Sequence, residues 1–423
     1  MSLTDQIRNL KVGAGLMGAS EVSLRNRALE ALSALLEERK EAVFEANKRD
    51  LAAAKAADIS QPVQKRMVFN EEKLKACRNG IQDLVSMPDP IGEVSLNRAL
   101  DEGLVLKRVS CPIGVIGVIF EARPDAMVQI GALCIKSANC GILKGGKETA
   151  ETNRALFEIL KEACVRAELP ECLALAQSHE DVDEILKLDK DVDLLIPRGS
   201  NAFVRYIMDH TRIPVMGHAD GICHAYVHKD ADLAKAIPIL LDAKTQYPAA
   251  CNAVEMVLVD QEIAEGALPV IQEAFQAAGV IVHGPWDLTG KTDAKSENAE
   301  LEKEYLGMEV GLAAVGGLAE AIRHINTHGS HHTDTILTES KEAAAKFTEM
   351  VDSAGVYVNC STRFADGYRY GFGAEVGIST GKLHARGPVG LEGLTSYKYV
   401  LIGEGQVAAP YVTGEKHFHF RDL

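Results

Sequence analysis

The parts of this 423-residue chain able to do chemistry are a cysteine set among small residues, two basic glycine-containing loops and a histidine-rich segment. The cysteine is Cys251, in Tyr247-Pro248-Ala249-Ala250-Cys251-Asn252-Ala253. Pro248 ends the preceding helix. Small residues flank the thiol and a strand is expected from about Glu255, so a substrate can reach the sulfur. A reachable thiolate attacks acyl carbons. The competing reading is that of most cysteines, a small buried hydrophobe. Cys134 and Cys164 fall in helix patterns and Cys111 precedes a buried strand, which makes them weaker candidates.

Lys144-Gly145-Gly146-Lys147 follows a strand pattern and opens a helix pattern. Its glycines let the backbone approach a ligand, and its lysines put positive charge beside a helix N-terminus. Arg198-Gly199-Ser200 repeats the arrangement, with Ser200 placed as an N-cap. Both lie at strand carboxyl ends, where open α/β sheets bind ligands. A plain turn is the alternative for each. His324, His328, His331 and His332 cluster in residues 315–336 without the ligand mix and spacing a metal needs, and no metal site is expected. His417 and His419 are weaker still. Gly13-Ala14-Gly15-Leu16-Met17-Gly18 matches GxGxxG, but the 12 residues before it look helical. Without a preceding strand the motif has no phosphate-binding context, and a loop joining two helices is expected.

The elements that position these residues follow from periodicity. Leu24, Ala28, Leu32, Leu35, Val43 and Phe44 recur at near-helical spacing and predict long amphipathic helices over residues 21–56. Residues 92–110 read as a hairpin turning at Asp101-Glu102-Gly103. The apolar run 114–120 (GVIGVIF) predicts a buried parallel strand, with further strands at 141–144, 173–176 and 192–196 and helices at 127–138 and 148–167. Such alternation predicts a doubly wound parallel sheet. A second α/β block spans residues 231–359, with strands at 255–259, 280–283, 310–315, 335–338 and 355–358. The acidic stretch 292–304 is expected to be a solvated loop and helix.

Bulk composition narrows the function. Hydrophobic residues make up 47% and charged residues 25%, as in a soluble globular protein of two or three domains. No run approaches the ~18 apolar residues of a membrane span, and residues 1–11 lack the apolar core of a secretory signal. The net charge of −15 argues against nucleic acid or an anionic membrane as the main partner. Nine cysteines without a CxxC pair fit free thiols in a reducing compartment, so a cytoplasmic location is expected.

The motifs converge on one resemblance. Residues 315–336, with Ala321-Ile322, His324-Ile325, His328-Gly329-Ser330 and His332-Thr333-Asp334 before Ile336, resemble the signature of the γ-glutamyl phosphate reductases, also called glutamate-5-semialdehyde dehydrogenases. The segments IGVIFEARP (116–124), LKGGKE (143–148), IPRGSN (196–201), PVMGHADGICH (214–224), the Cys251 turn, Tyr357-Val358-Asn359 and Gly387-Pro388-Val389-Gly390 resemble that family in order, over nearly the whole chain. The resemblance implies an α/β aldehyde-dehydrogenase-like fold. A Rossmann-type cofactor domain over 1–91 and 111–225 would bind NADPH, an α/β catalytic domain would occupy 226–386, and 92–110 with 398–412 would form a β-hairpin oligomerisation extension. It implies reduction of L-glutamyl 5-phosphate to the semialdehyde, the second step of proline biosynthesis, by way of a Cys251 thioester. The substrate would come from a separate glutamate 5-kinase, and a homo-oligomer is expected.

Residue roles follow the same way. Lys144, Gly145, Gly146, Lys147, Arg198, Gly199 and Ser200 are expected to hold the cofactor, Lys144 at its adenosine ribose or 2′-phosphate, and Glu304 the nicotinamide ribose. Glu121, Arg123, His218 and Arg386 are expected at the substrate, with a surface or inter-domain ion pair as the alternative for each arginine. His218 stands where hydrolytic relatives carry a general-base glutamate, and Ala122 near where they carry an oxyanion-binding asparagine. The oxyanion is therefore expected on the Cys251 backbone N–H, helped by Asn252. The competing functions are a hydrolytic NAD(P)-dependent semialdehyde dehydrogenase and a catalytically silent structural member of the fold.

Overall fold

The computed structural model describes residues 1–217, 220–290 and 299–423. Five helices open the chain: Leu3–Gly18, Val22–Glu38, Lys40–Ala56, Gln61–Met67 and Glu71–Ser86. On the second, Ala28, Leu29, Leu32, Leu35 and Leu36 are buried on one face, as their spacing predicts, and pack on helix Ala150–Arg166. The first helix starts at a capping box between Ser2 and Asp5. It runs on through the GxGxxG stretch, where a loop was expected. Buried Leu10 and Met17 hold these turns helical against the low propensity of glycine. Gly18 also lets the helix approach the sheet, since a Cβ there would come within 3.1 Å of Pro112 Cγ.

The first sheet is parallel, in the order Leu173–Ala176, Cys140–Lys144, Val115–Phe120, Leu194–Arg198. Every residue of Val115–Phe120 is buried, because helices cover both faces. The strand order reverses between Val115–Phe120 and Leu194–Arg198, which opens a crevice at their carboxyl ends. The second sheet is also parallel and has six strands, ordered Gly355–Val358, Thr333–Leu337, Cys223–Val227, Val254–Asp260, Glu309–Val315, Ile281–Asp287. Strand Cys223–Val227 was not expected and starts three residues ahead of the anticipated catalytic domain at 226. Buried His224 and Tyr226 break the apolar run that marks such a strand, and both are paired: His224 with Asp334 at 3.1 Å, Tyr226 donating to Asp260 at 2.7 Å. Near the C-terminus Ala374, Val376, Val389, Leu391 and Leu394 return to the core of the first sheet.

The hairpin Val94–Asp101 and Leu104–Pro112 forms as expected and turns at Gly103, whose φ is 66°. Thr395–Ile402 pairs along its second strand, and Arg421–Asp422 adds a short strand to the first. No helix among the described residues is long and apolar enough to cross a membrane.

Candidate active site

Cys251 lies in the turn between helix Leu233–Thr245 and strand Val254–Asp260. This is the amino edge of the six-stranded sheet, and the thiol there is within electrostatic reach of Arg198, at the carboxyl edge of the four-stranded sheet. The site therefore joins opposite strand ends of two sheets, where the sequence had suggested carboxyl ends alone. The turn is gripped from both sides. A Cβ on Gly221 would lie 2.2 Å from the Cys251 carbonyl oxygen and 2.6 Å from its Cα. The Cys223 thiol donates to that carbonyl at 3.3 Å. Asn252 Nδ2 donates to the Ala365 carbonyl at 2.8 Å, and the Asn252 carbonyl accepts from Thr362 Oγ1 at 2.6 Å. The first of these bonds takes one of the two N–H donors of the amide expected to help with the oxyanion, and it anchors the turn. No acceptor among the described residues takes the Cys251 N–H, which leaves it as an oxyanion donor.

Burial pushes the Cys251 thiol up to about 12; Glu304 and Glu375 add to the shift, while Arg198 and Arg363 oppose it. The resting thiol is therefore protonated at neutral pH. His332 Nε2 stands 3.2 Å from Sγ, on a buried ring whose Nδ1 is 2.9 Å from Thr333 Oγ1. The other histidines of that segment are engaged elsewhere. The His324 ring packs edge-on to His224 at 5.3 Å, and burial pushes its pKa down to about 2. His328 bonds Glu302 at 2.8 Å and His331 the Asp352 carbonyl at 2.6 Å.

Charged groups ring the sulfur. The Glu304 carboxylate accepts from the Gly221 N–H at 3.0 Å and from Asn201 Nδ2 at 2.7 Å. Burial raises its pKa, tempered by these bonds. It belongs to the thiol's surroundings and not to the solvated loop that the acidic run suggested. Arg198, expected at the cofactor, also stands on the thiol side; burial foremost, then neighbouring Arg123, lowers its pKa. Arg363 Nε donates to Gln246 at 2.9 Å, with the guanidinium 5.8 Å from the Tyr247 ring centroid. Glu121 and Arg123 are exposed just beyond Val115–Phe120, and a Cβ on Gly199 would sit 2.9 Å from the Glu121 carboxyl carbon. Ser200 is the N-cap residue of helix Asn201–His210, without a side-chain capping bond.

The Lys144 loop closes the crevice on its other side. Lys144 ends its strand buried, and no hydrogen bond or ion pair among the described residues holds its ammonium. Burial lowers its pKa, against Glu148, Asp181 and Glu121. A Cβ on Gly145 would lie 2.1 Å from Asn153 Nδ2, and one on Gly146 2.0 Å from Glu148 Oε1. That carboxylate oxygen accepts the Ala122 N–H at 2.7 Å and so locks the loop after Val115–Phe120, where Ala122 has a φ of 44°. A lysine with a buried stem and no ammonium partner among the described residues, beside two glycines at a strand end, fits a nucleotide's ribose or phosphate. Lys147 is exposed.

Arg386 is drawn elsewhere. Its Nη2 donates to the Asp352 carboxylate at 3.1 Å and carbonyl at 3.2 Å, so the ion-pair reading replaces the substrate one. His218 lies outside the described residues. Sequence reasoning missed His332, Arg363, Glu375, Asn201 and Gly221 as site residues. His332 stood in plain view but was weighed only as a metal ligand, and a thiol and imidazole 81 positions apart carry no spacing signal.

The aldehyde dehydrogenase family model matches residues 11–288. A γ-glutamyl phosphate reductase of Acetivibrio thermocellus is 49% identical over 426 residues, covering 99% of this chain and 97% of its own. γ-Glutamyl phosphate reductase 1 of Synechocystis is 50% identical, over 98% of this chain and 96% of its own. The chain belongs to the γ-glutamyl phosphate reductases, within the aldehyde dehydrogenase family. The crystal structure of the family member from Thermotoga maritima superposes with a TM-score of 0.91 at 34% identity, covering 96% of this chain and 100% of that one. An acetylating aldehyde dehydrogenase of Geobacillus thermoglucosidasius shares the fold, with a TM-score of 0.66 at 16% identity and coverage of 96% and 97%. Within this family the α/β architecture is as the resemblance implied.

Proposed function

We propose that the chain reduces L-glutamyl 5-phosphate with NADPH to L-glutamate 5-semialdehyde and phosphate, the second step of proline biosynthesis, through a thioester on Cys251. The observation that carries this reading is a half-buried thiol within electrostatic reach of the Arg198 and Arg363 guanidiniums. Two cations suit an acyl donor whose leaving group is a phosphate. The names of relatives at 49–50% identity support the same substrate. Sγ attacks the acyl carbon, the C–S bond forms, and the C–O bond breaks with its electron pair leaving on phosphate. The Cys251 N–H meets the transient oxyanion, and the arginines hold the phosphate charge. Lys144, Gly145 and Gly146 would hold the nucleotide, the Lys144 ammonium favouring a 2′-phosphate and so NADPH. NADPH, when bound, supplies the hydride that reduces the acyl group. The substrate would come from a separate glutamate 5-kinase, and the extension would pair subunits.

A hydrolytic semialdehyde dehydrogenase is the second reading, because Glu304 and Glu375 both lie within electrostatic reach of the thiol and a carboxylate there can activate water. Phosphate separates the two. Run backward with semialdehyde and NADP, the reductase needs phosphate or arsenate. Oxidation at full rate without either would overturn the proposal in favour of hydrolysis. Absence of turnover and of NADPH binding would indicate a silent member of the fold.

A further inference from the structure

We infer that His332 is the catalytic base and acid of Cys251, taking the thiol proton on Nε2 as the sulfur attacks, passing it to the departing phosphate and returning a proton to the sulfur when the aldehyde leaves; this deepens the reductase reading and rests on it. Three observations carry the inference. The nucleophile and a ring nitrogen are already at hydrogen-bond distance, 3.2 Å, in a turn fixed by Gly221, Cys223 and Asn252. The ring is oriented by a third group: when Nδ1–H donates to Thr333 Oγ1 at 2.9 Å, Nε2 is left as an acceptor aimed at the sulfur. A thiol held protonated by burial, with Glu304 and Glu375 turning it further from ionisation, needs an acceptor before it can attack.

The proton balance closes. The S–H bond breaks and an N–H bond forms at Nε2 as sulfur attacks the acyl carbon. The departing phosphate takes that proton. When the reduced acyl group leaves as aldehyde, the thiolate recovers a proton from solvent through the same nitrogen. Among the described residues, the groups facing the thiol during this exchange include Glu304, Glu375, Arg198, Arg363 and Cys223 besides His332. The two carboxylates accept other bonds, Glu304 from Gly221 and Asn201, Glu375 from the Gly367 N–H at 3.0 Å.

The test follows alkylation of Cys251 by iodoacetamide, read by peptide mass spectrometry, alongside reductase turnover. In the unaltered protein the alkylation rate is expected to hold a plateau between about pH 7 and pH 9, because the imidazole and not hydroxide takes the thiol proton. A tenfold climb per pH unit through that range would overturn the inference. His332→Asn should slow alkylation near neutral pH and lower kcat by about 10²-fold or more, with NADPH affinity retained. Thr333→Val, which keeps the imidazole but releases Nδ1, should shift the pH profile of kcat with a smaller loss. His332→Asn with unchanged alkylation and turnover contradicts the role. If that variant fails to fold, the wild-type plateau and Thr333→Val decide. Failure of the reductase reading is distinguishable, since it shows as no phosphate-dependent turnover in the unaltered protein whatever the alkylation profile.

Discussion

At the scale of single residues, the crevice is built on close approaches that tolerate no added atom. Gly221 lies against the backbone of Cys251 itself, so Gly221→Ala forces the catalytic turn to move and not merely a flexible side chain. A loss of about 1–3 kcal/mol is expected, with a fall in kcat/KM larger than the fall in melting temperature implies. Unchanged kinetics would refute the contact. The turn that carries Cys251 was legible in the sequence from Pro248 and its small neighbours, while the role expected of the thiol came from the family resemblance. The residues around it were not legible. His332, Arg363 and Glu375 arrive from segments far along the chain, and only the packing of two sheets edge to edge brings them to the sulfur. Arg386 shows the reverse error, for its position near a glycine-rich turn looked substrate-facing while Asp352 stood unnoticed as its partner.

At the scale of elements, one carboxylate ties two loops together. Glu148 accepts the N–H of buried Ala122 at 2.7 Å, so Glu148→Ala strands a buried donor. The cost expected is about 1–3 kcal/mol, with a raised Kd for NADPH and a raised KM for the acyl phosphate measured in parallel; a variant with both constants intact would show that the loops hold without it. A second element-level device joins helix Leu233–Thr245 to strand Val254–Asp260. Lys244 and Glu255 meet there at 2.7 Å, both buried. Burial raises Glu255 to about 7 from 4.5, with Lys244 opposing. Between those values the folded chain keeps a proton that the unfolded chain has released, so this group makes stability fall as pH rises through the window. Glu255→Gln should remove that contribution, leaving melting temperature less steeply dependent on pH from 4.5 to about 7. Parallel curves for variant and wild type would count against it. Most strands were legible from unbroken apolar runs, such as Val115–Phe120. Cys223–Val227 was hidden by its paired polar residues, and the glycines of the first helix mimicked a loop because its burial against the sheet could not be read locally.

At the scale of the whole molecule, two features stand out. The first is the extension, whose strand Thr395–Ile402 forms one edge of its sheet and leaves Tyr397, Tyr399 and Leu401 more than half exposed. An apolar open edge invites pairing with another copy. The protein is expected to sediment as a dimer or larger assembly at micromolar concentration, and Tyr399→Asp with Leu401→Asp to shift it toward monomer. A monomeric wild type would contradict this. The hairpin itself was legible from its glycine turn; of its partner strands from the C-terminus, Thr395–Ile402 was anticipated in part through the family resemblance and Arg421–Asp422 was not, because its pairing is wholly long-range. The second feature is the meeting of two parallel sheets by opposite strand ends, which brings the thiol within electrostatic reach of Arg198. The central claim is that Cys251 carries the acyl group, and the direct measurement is rapid-quench mass spectrometry of the peptide spanning residues 247–252 after mixing with glutamyl phosphate in the absence of NADPH. The account predicts a γ-glutamyl adduct on Cys251 that is lost in Cys251→Ala and on addition of NADPH; an adduct on another cysteine, or phosphate-dependent turnover with no adduct at all, would contradict it.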